Sequence, residues 1–233
     1  MTLPFLRRLH RTVAIVVALQ LVLWALGGTV FAWLDRDGVA GASLTHAAAR
    51  PTLAESGPIA LAEPRDWLAA HAPRGLRDVR LEPLLDRWVY RVESADGVVL
   101  LDARDGARIR VDAATARALA LARYAGRGRI AAVERRDGPT LETRSHGAAW
   151  AVRFDDDAGT TLWLSADDGR LLETRTDAWR LFDTFWMLHT MDYAGRDDFN
   201  HPLVILAGSA ALWVALTGLL LAVRTARRGR RAR

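Results

Sequence analysis

The stretch "PLVILAGSAALWVALTGLLLAV", residues 202–223, decides the class of fold, because 22 consecutive residues carry no charge. A second uncharged stretch of 22 residues covers positions 13–34. A helix of about 20 apolar residues spans the hydrocarbon core of a bilayer. Since backbone groups in lipid must bond within their own segment, both stretches are predicted to be transmembrane helices.

The first stretch could also be the apolar part of a secretory signal peptide. Such a region is usually about 7–15 residues long and ends at a small-x-small cleavage site. This stretch is longer and ends with the bulky residues Phe31, Trp33 and Leu34. We therefore expect an uncleaved membrane anchor, with cleavage near "VAGAS" (39–43) as the alternative.

The arginines predict the orientation of the chain. It contains no lysine, so all 32 basic residues are arginines, and nine of these flank the two apolar stretches. The remaining 23 lie between the stretches with all 27 acidic residues, so the middle of the chain is negative. The positive-inside rule then places 1–12 and the arginine-rich tail 224–233 in the cytoplasm and 35–201 outside. The flanking arginines are Arg7, Arg8, Arg11, Arg224, Arg227, Arg228, Arg230, Arg231 and Arg233.

The high pI of about 10.7 thus reflects membrane topology, and we expect lipid rather than nucleic acid as the partner of the tail. RNA binding by the arginine tail is the less favoured alternative. The chain has no cysteine, which excludes thiol redox chemistry and iron–sulfur ligation, so electron transfer would need a bound cofactor. No hydrolase motif and no phosphate-binding loop is present either.

The region between the helices contains an internal repeat after a linker predicted over 35–62. "RWVYRVES" (87–94) resembles "AWAVRFDD" (149–156), and "VVLLDARDGARI" (98–109) resembles "TTLWLSADDGRLL" (160–172). Alternating apolar residues around an acidic-Gly turn are typical of strands in a hairpin. The matching residues are Trp88 with Trp150, Arg91 with Arg153, and Asp105-Gly106 with Asp168-Gly169.

A helical stretch precedes each copy. "DAATARALALARYAG" (112–126) has Asp112 at its predicted N-cap and Gly126 after its end. The sequence therefore predicts two domains, 63–111 and 112–176, each a helix on a small antiparallel sheet. Because domains of this size have marginal cores, we expect the two to pack together.

These patterns resemble known families. The strand motif W-x-(Y/V)-R followed by an acidic-Gly turn resembles the PepSY domain. "RRLHRTVAIVVALQLVLWALGG" (7–28), "WMLHTMDY" (186–193) and "NHPL" (200–203) resemble the PepSY-associated transmembrane family. Larger members have four membrane helices, and some resemble haem-containing reductases that release iron from siderophores in the periplasm. The resemblance implies the bacterial inner membrane and periplasmic PepSY-like domains, although this chain has two predicted membrane helices instead of four.

Three histidines are candidate cofactor ligands. His189 and His201 lie near the outer end of the second apolar stretch, and His10 lies at the cytoplasmic end of the first. Neutral imidazole is a common axial ligand of haem, so these residues are candidate ligands of haem b. Hydrogen bonding near lipid headgroups is the alternative. Two-fold symmetry in a homodimer would pair each histidine with its copy and give two haem sites across the bilayer.

The segment 177–201 is predicted to be amphipathic and interfacial. Trp179, Phe182, Trp186 and His189 are spaced for one helix face, which is typical of an aromatic belt lying flat at the headgroups. The loop "DYAGRDDFN" (192–200) is predicted to be a turn closed by ion pairs rather than a metal site.

Small residues would allow close helix approach, within one chain or in a dimer. Gln20, a strongly polar side chain within a span, is expected to bond to the second helix or across a dimer. Trp24 and Trp213 are expected to pack on a porphyrin or on each other. The small residues are Gly27, Gly28, Gly208, Ser209 and Gly218.

Together these observations predict an α+β protein in which two transmembrane helices flank a periplasmic tandem of PepSY-like domains. The leading hypothesis is a haem-associated accessory or reductase-like component of transmembrane electron transfer in iron-siderophore use, with a membrane redox partner. The alternative is a non-enzymatic module that binds a peptide or protein and regulates a periplasmic peptidase, or a structural subunit of a membrane complex. The sequence leaves open whether the protein is an enzyme.

Overall fold

The computed structural model describes residues 3–47, 61–71 and 74–231. The described helices are α1 (Leu3–Trp33), α2 (Arg36–Ala40), α3 (Pro64–His71), α4 (Ala113–Arg123), α5 (Asp177–Thr190) and α6 (Pro202–Arg231). The described strands are β1 (Asp78–Leu84), β2 (Arg87–Ser94), β3 (Gly97–Asp102), β4 (Arg108–Ile109), β5 (Ile130–Arg136), β6 (Ala149–Phe154), β7 (Thr161–Ser165) and β8 (Leu171–Arg175). The chain forms two compact units, which we call the membrane unit (Met1–Asp35 with Arg180–Arg233) and the sheet unit (Arg36–Trp179).

The membrane unit contains the two helices that the charge-free stretches predicted. Among the described residues, α1 and α6 are long and apolar enough to cross a membrane, over Pro4–Trp33 and Pro202–Arg227. Most of their large apolar side chains are exposed, as expected for helices that face lipid rather than a protein core. The two helices pack against each other through residues such as His10 and Thr217.

The sheet unit confirms the predicted mixture of helix and antiparallel sheet. In the described part of the chain, β1–β4 and β5–β8 form two four-stranded antiparallel sheets, each with its strands in chain order. The helix α4 precedes the second sheet, as predicted, and Asp112 caps it by accepting the backbone N–H of Thr115 at 2.8 Å. The helix α3 likewise precedes the first sheet, and it ends seven positions before β1 begins.

Each face of the first sheet has a different partner. Tyr90, Val92 and Leu101 lie on one face and pack with Trp67 and Leu68 of α3. The opposite face contributes to a core that contains residues of both sheets and of α4. The two repeats therefore share one hydrophobic core, which supports the expectation that copies this small pack together. The buried members of that core are Val89, Leu100, Val111, Ala116, Leu119, Ala120, Val152, Phe154, Leu162 and Leu164.

A buried ion pair also joins the repeats. Arg91 of β2 donates from Nε to Asp168 Oδ2 at 3.0 Å, and the two residues are 8% and 6% exposed. Arg91 also bonds Glu93 at 3.0 Å. Burial alone would raise the pKa of Asp168, but hydrogen bonds from Ser165 and Arg91 outweigh it and hold the pKa below its usual value.

The linker predicted over 35–62 was expected to become ordered only near Glu63, but its beginning is already ordered. After α2, a single 3-10 turn covers Ala42–Leu44, and Thr45 forms an isolated antiparallel bridge with Tyr124. Leu44 O accepts the backbone N–H of Ala125 at 2.9 Å. Backbone hydrogen bonds, rather than a periodic apolar face, thus hold residues 36–47 on the second repeat. Positions 48–60 of the linker lie outside the described residues.

Candidate functional site: two histidines along one membrane helix

The end of the membrane unit where α1 begins holds His10 against α6. His10 Nδ1 lies 2.8 Å from Thr217 Oγ1. Thr217 Oγ1 also lies 2.8 Å from Trp213 O and 3.2 Å from Val214 O. When the single hydroxyl proton goes to either carbonyl, the oxygen accepts a hydrogen bond from His10 Nδ1–H. The neutral His10 ring then carries its lone pair on Nε2, which is the arrangement that second-shell bonds give to metal-binding histidines.

Packing further restricts the His10 ring. A Cβ atom at Gly218 would lie 3.3 Å from His10 Cε1, so only a residue as small as glycine leaves this much room. The ring centroid of Trp213 lies 6.4 Å away on the next turn of α6. The Trp213 side chain thus neighbours a histidine rather than Trp24, the partner that the sequence suggested.

At the other end, α5 runs antiparallel to the C-terminal half of α1. The rings of Phe31 and Phe182 are 4.9 Å apart, and a Cβ atom at Gly27 would lie 3.9 Å from the Phe185 ring. The segment predicted to lie flat at the interface therefore follows α1 for about two turns. Met191, which has a φ of 57°, ends it in the left-handed conformation common after helix C-termini.

Two α1 side chains cap the end of α5. Gln20 Nε2 donates to Leu188 O at 3.2 Å, and Trp24 Nε1 donates to His189 O at 2.9 Å. The last carbonyls of a helix have no partner within the helix and must find one elsewhere. This need explains a glutamine inside an apolar span, although its partner is α5 rather than α6, where the sequence placed it.

The His189 ring lies among aromatic side chains. Its centroid is 5.8 Å from that of Trp24, 6.3 Å from Phe31 and 6.5 Å from Trp186, with which it is stacked. Neither ring nitrogen of His189 is hydrogen-bonded to any residue in the described ranges, and the side chain is exposed. The ring is held in place by neighbours while both nitrogens stay available to a ligand.

The two histidines lie at different levels of α1. His189 neighbours Trp24, which follows His10 by 14 positions in one uninterrupted helix. At 1.5 Å per residue the two levels are separated by about 21 Å along the helix axis. One metal centre cannot be ligated by both residues of the same chain, because a histidine nitrogen binds iron at only about 2 Å.

His201 has a different local role. It immediately precedes α6, and its Nδ1 accepts the backbone N–H of Leu203 at 3.4 Å. Its own carbonyl accepts the N–H of Val204 at 3.0 Å. With Pro202 at the first helical position, His201 occupies the N-cap of α6, and its accepting Nδ1 requires the proton on Nε2 in the neutral ring.

The loop between α5 and α6 is organised around a buried carboxylate, in addition to an ion pair formed by Arg196. Asp192, 5% exposed, accepts four backbone N–H groups at 2.9–3.2 Å. Burial would raise its pKa, but these bonds outweigh it and lower the pKa to about 2. The four donors are Gly195, Asp198, Asp197 and Ala194.

The same loop is tied to α5 by an arginine. Arg196 donates to Asp183 Oδ2 at 2.7 Å, and its carbonyl accepts the indole N–H of Trp186 at 3.1 Å. Within the described ranges, no group of three or more His, Asp or Glu side chains is placed to hold a metal ion. These contacts of Arg196 fix the loop against α5 and position Trp186 beside His189.

Two apolar helices that flank, along the chain, a tandem of small antiparallel sheets define a membrane-associated α+β protein. The chain belongs to the PepSY-associated TM region family, whose sequence pattern matches residues 3–228. The match extends over both candidate spans and everything between them. No curated protein and no solved structure matches the chain significantly.

Three residues of this site were not predicted to act as they do. Thr217 and Gly218 shape the surroundings of His10, and Trp24 caps α5 beside His189. The sequence feature that could have indicated the surroundings of His10 is a threonine one position before a glycine, in a span otherwise rich in leucine and alanine. Only the pairing of α1 with α6 identifies what those residues face.

Proposed function

We propose that this protein is a haem-associated component of transmembrane electron transfer in the bacterial inner membrane, with the sheet unit in the periplasm. The observation that carries the proposal is the pair of fixed histidines at two levels of α1. The family assignment supports a membrane location, and the arginines flanking both spans support cytoplasmic termini. By this orientation His10 lies at the cytoplasmic end and His189 toward the periplasm.

The residues fit a b-type haem. His10 presents the lone pair of Nε2 because Thr217 binds the opposite nitrogen, and His189 has both nitrogens unbonded within the described chain. Aromatic rings such as Trp24 beside His189 suit a porphyrin face. Bound haem would supply one-electron transfer, which this chain's side chains cannot perform. His201 is a third candidate. Ligation through Nε2 would move the ring proton to Nδ1, which could then no longer accept the N–H that caps α6.

The separation of about 21 Å between the two levels implies that each iron takes one ligand from each of two chains. A homodimer related by a two-fold axis would pair His10 with its copy at one end and His189 with its copy at the other. The exposed Gly28 and the half-buried Gly208 allow close approach of helices. The electron donor in this proposal is a quinone or a membrane redox partner, and iron-siderophore reduction is the proposed use.

The test is an absorption spectrum of the full-length protein, purified from membranes in mild detergent after expression with ample haem. Oxidised and dithionite-reduced samples should show a Soret band and sharp b-type α and β bands. His189→Ala and His10→Ala should each lower the haem content by about half or more, since each removes the ligands of one site. His201→Asn, which keeps an N-cap acceptor, and His46→Ala, which removes an exposed histidine of the sheet unit, are the matched controls.

A featureless spectrum would overturn the proposal. So would haem that survives both His10→Ala and His189→Ala. If haem is lost with His201→Asn and retained with His189→Ala, the outer ligand is His201.

The alternative function, a binding module of the PepSY-like sheets, is supported by a different observation. One edge of the first sheet is left partly uncovered at the beginning of β3.

A further inference from the structure

The fourth strand of each sheet covers its neighbour to a different extent. In the second repeat, β8 pairs with β7 from Thr161 through Leu164. In the first repeat, β4 pairs with β3 only at Leu100 and Leu101, although β3 begins at Gly97. The start of β3 therefore has an open edge where the matching strand of the other repeat is covered.

The open edge carries backbone groups that can form hydrogen bonds. Asp102 N–H points toward β4, where it donates to Ala107 O at 2.8 Å, and Ala103 N–H points toward β2, where it donates to Trp88 O at 3.0 Å. Because these directions alternate along an antiparallel strand, the N–H and C=O of Val98 point to the β4 side. Within the described ranges no strand pairs with Val98 on that side.

A tryptophan of the second repeat keeps β4 short. Val111 would stand opposite Val98 if β4 continued in register, but its carbonyl accepts the indole N–H of Trp150 at 3.0 Å. The next residue, Asp112, is already the N-cap of α4. The gap beside Val98 is thus built by contacts between the repeats.

A basic cavity lies against this edge. It has a volume of about 390 Å³ and is lined by β3 residues, including Val98, together with Trp150 and charged side chains. Three arginines line it, Arg108, Arg110 and Arg135, against two acids, Asp112 and Asp167.

By this count the arginines exceed the acids by one, and one of them, Arg135, is already paired with Asp137 at 3.0 Å. Arg108 and Arg110 are exposed, and neither forms an ion pair with a described residue. The Asp112 carboxylate remains ionised, since the N–H of Thr115 that it accepts lowers its pKa. The two unpaired arginines are therefore the groups of this cavity that favour a negatively charged ligand.

We propose that an extended, acidic segment of a partner protein binds here by adding a strand to the open edge of β3. Backbone bonds to Val98 would supply affinity, and carboxylates spaced two residues apart would reach Arg108 and Arg110. The proposal deepens the binding-module alternative and is independent of haem, so the haem spectrum and a peptide-binding assay can fail separately.

The test uses full-length protein in detergent and a fluorescein-labelled peptide of alternating Glu and Val. Its fluorescence anisotropy should rise to saturation, and the matching Gln–Val peptide should bind about tenfold more weakly or worse, since charge pairs in such a site contribute on the order of 1.4 kcal/mol. Arg110→Glu should weaken binding of the Glu–Val peptide by about tenfold. The matched controls are Arg117→Glu on the exposed face of α4 and Arg227→Glu in the tail.

Amide hydrogen exchange tests the strand addition directly. Saturation with the Glu–Val peptide should slow exchange at Val98, whereas Val99, whose N–H faces β2 opposite Val92, should change little. Val98→Pro removes the proposed donor and should weaken binding without removing a bond of the sheet. Equal weakening by Arg110→Glu and the two controls would overturn the proposal, as would unchanged exchange at Val98 in the saturated complex.

Discussion

The two repeats use the same acidic-Gly turn in different surroundings. In the first, Asp105 is exposed and accepts the N–H of Ala107, and a Cβ atom at Gly106 would meet nothing within 4 Å. In the second, Asp168 is buried against Arg91, and a Cβ atom at Gly169 would lie 2.5 Å from Leu119. A turn that is only local in one copy is part of the shared core in the other.

The matched arginines show the same division. Arg91 is buried in the contact between the sheets, whereas Arg153 is exposed. Strand pairing explains this: Arg91 lies opposite Leu100, a residue of the shared core, and Arg153 lies opposite Thr161, on the face away from Leu162. The matched residues of the two copies therefore lie on opposite faces relative to the shared core, so only one copy of each motif lies in the interface.

The largest expected difference follows from removing the two turn carboxylates. Removing one partner of a buried ion pair costs about 3–5 kcal/mol. Since Arg91 keeps its bond to Glu93, Asp168→Ala should lower the free energy of unfolding by about 3 kcal/mol, at the low end of that range. Asp105→Ala should cost about 1 kcal/mol or less, because it loses one exposed hydrogen bond. Urea unfolding of the full-length protein in detergent, read by pulse proteolysis, measures both.

Acid should reproduce part of that loss. The folded-state pKa of Asp168 is lowered, so its stabilisation is present above the unfolded-state pKa and is lost as pH falls through the folded value. The wild-type protein should therefore lose stability at acidic pH more steeply than Asp168→Asn. Identical curves for the two proteins would show that Asp168 does not stabilise the interface through its charge.

A second comparison concerns the two turn glycines. Gly106 and Gly169 have φ angles of 73° and 70°, so alanine at either position pays about 1 kcal/mol for the left-handed conformation. Only at Gly169 does the added Cβ also collide with Leu119, and overpacking of this kind costs about 1–3 kcal/mol. Gly169→Ala should thus be about 2 kcal/mol more destabilising than Gly106→Ala in the same urea titration. Equal losses would mean that Leu119 moves aside without cost.

Local patterns in the sequence predicted the elements that depend on nearby residues. The charge-free stretches predicted α1 and α6, Asp112 predicted the start of α4, and the acidic-Gly pairs predicted the hairpin turns. Contacts between distant residues were not predicted. Arg91 and Asp168 are 77 positions apart, and nothing in either motif distinguishes the buried copy from the exposed one.

The candidate site divides in the same way. From residue type and position, His10 and His189 were predicted to be cofactor ligands at the membrane, and that remains a prediction. The hydroxyl that orients His10 and the side chains that cap α5 depend on which helix packs against α1. Apolar periodicity cannot identify that partner, because α1 is apolar on every face within its span.

The smallest expected effect concerns Trp150, whose indole holds the Val111 carbonyl away from β3. Trp150→Phe keeps the aromatic packing and removes one hydrogen bond, so it should cost about 1 kcal/mol. The freed carbonyl can then accept the N–H of Val98, which would extend β4 and make the first sheet resemble the second. Exchange at the Val98 amide should therefore slow in Trp150→Phe without any peptide. If exchange does not change, β4 is short because the chain must turn into α4 at Asp112. The Trp150 indole would then bond a Val111 carbonyl that this turn already directs away from β3.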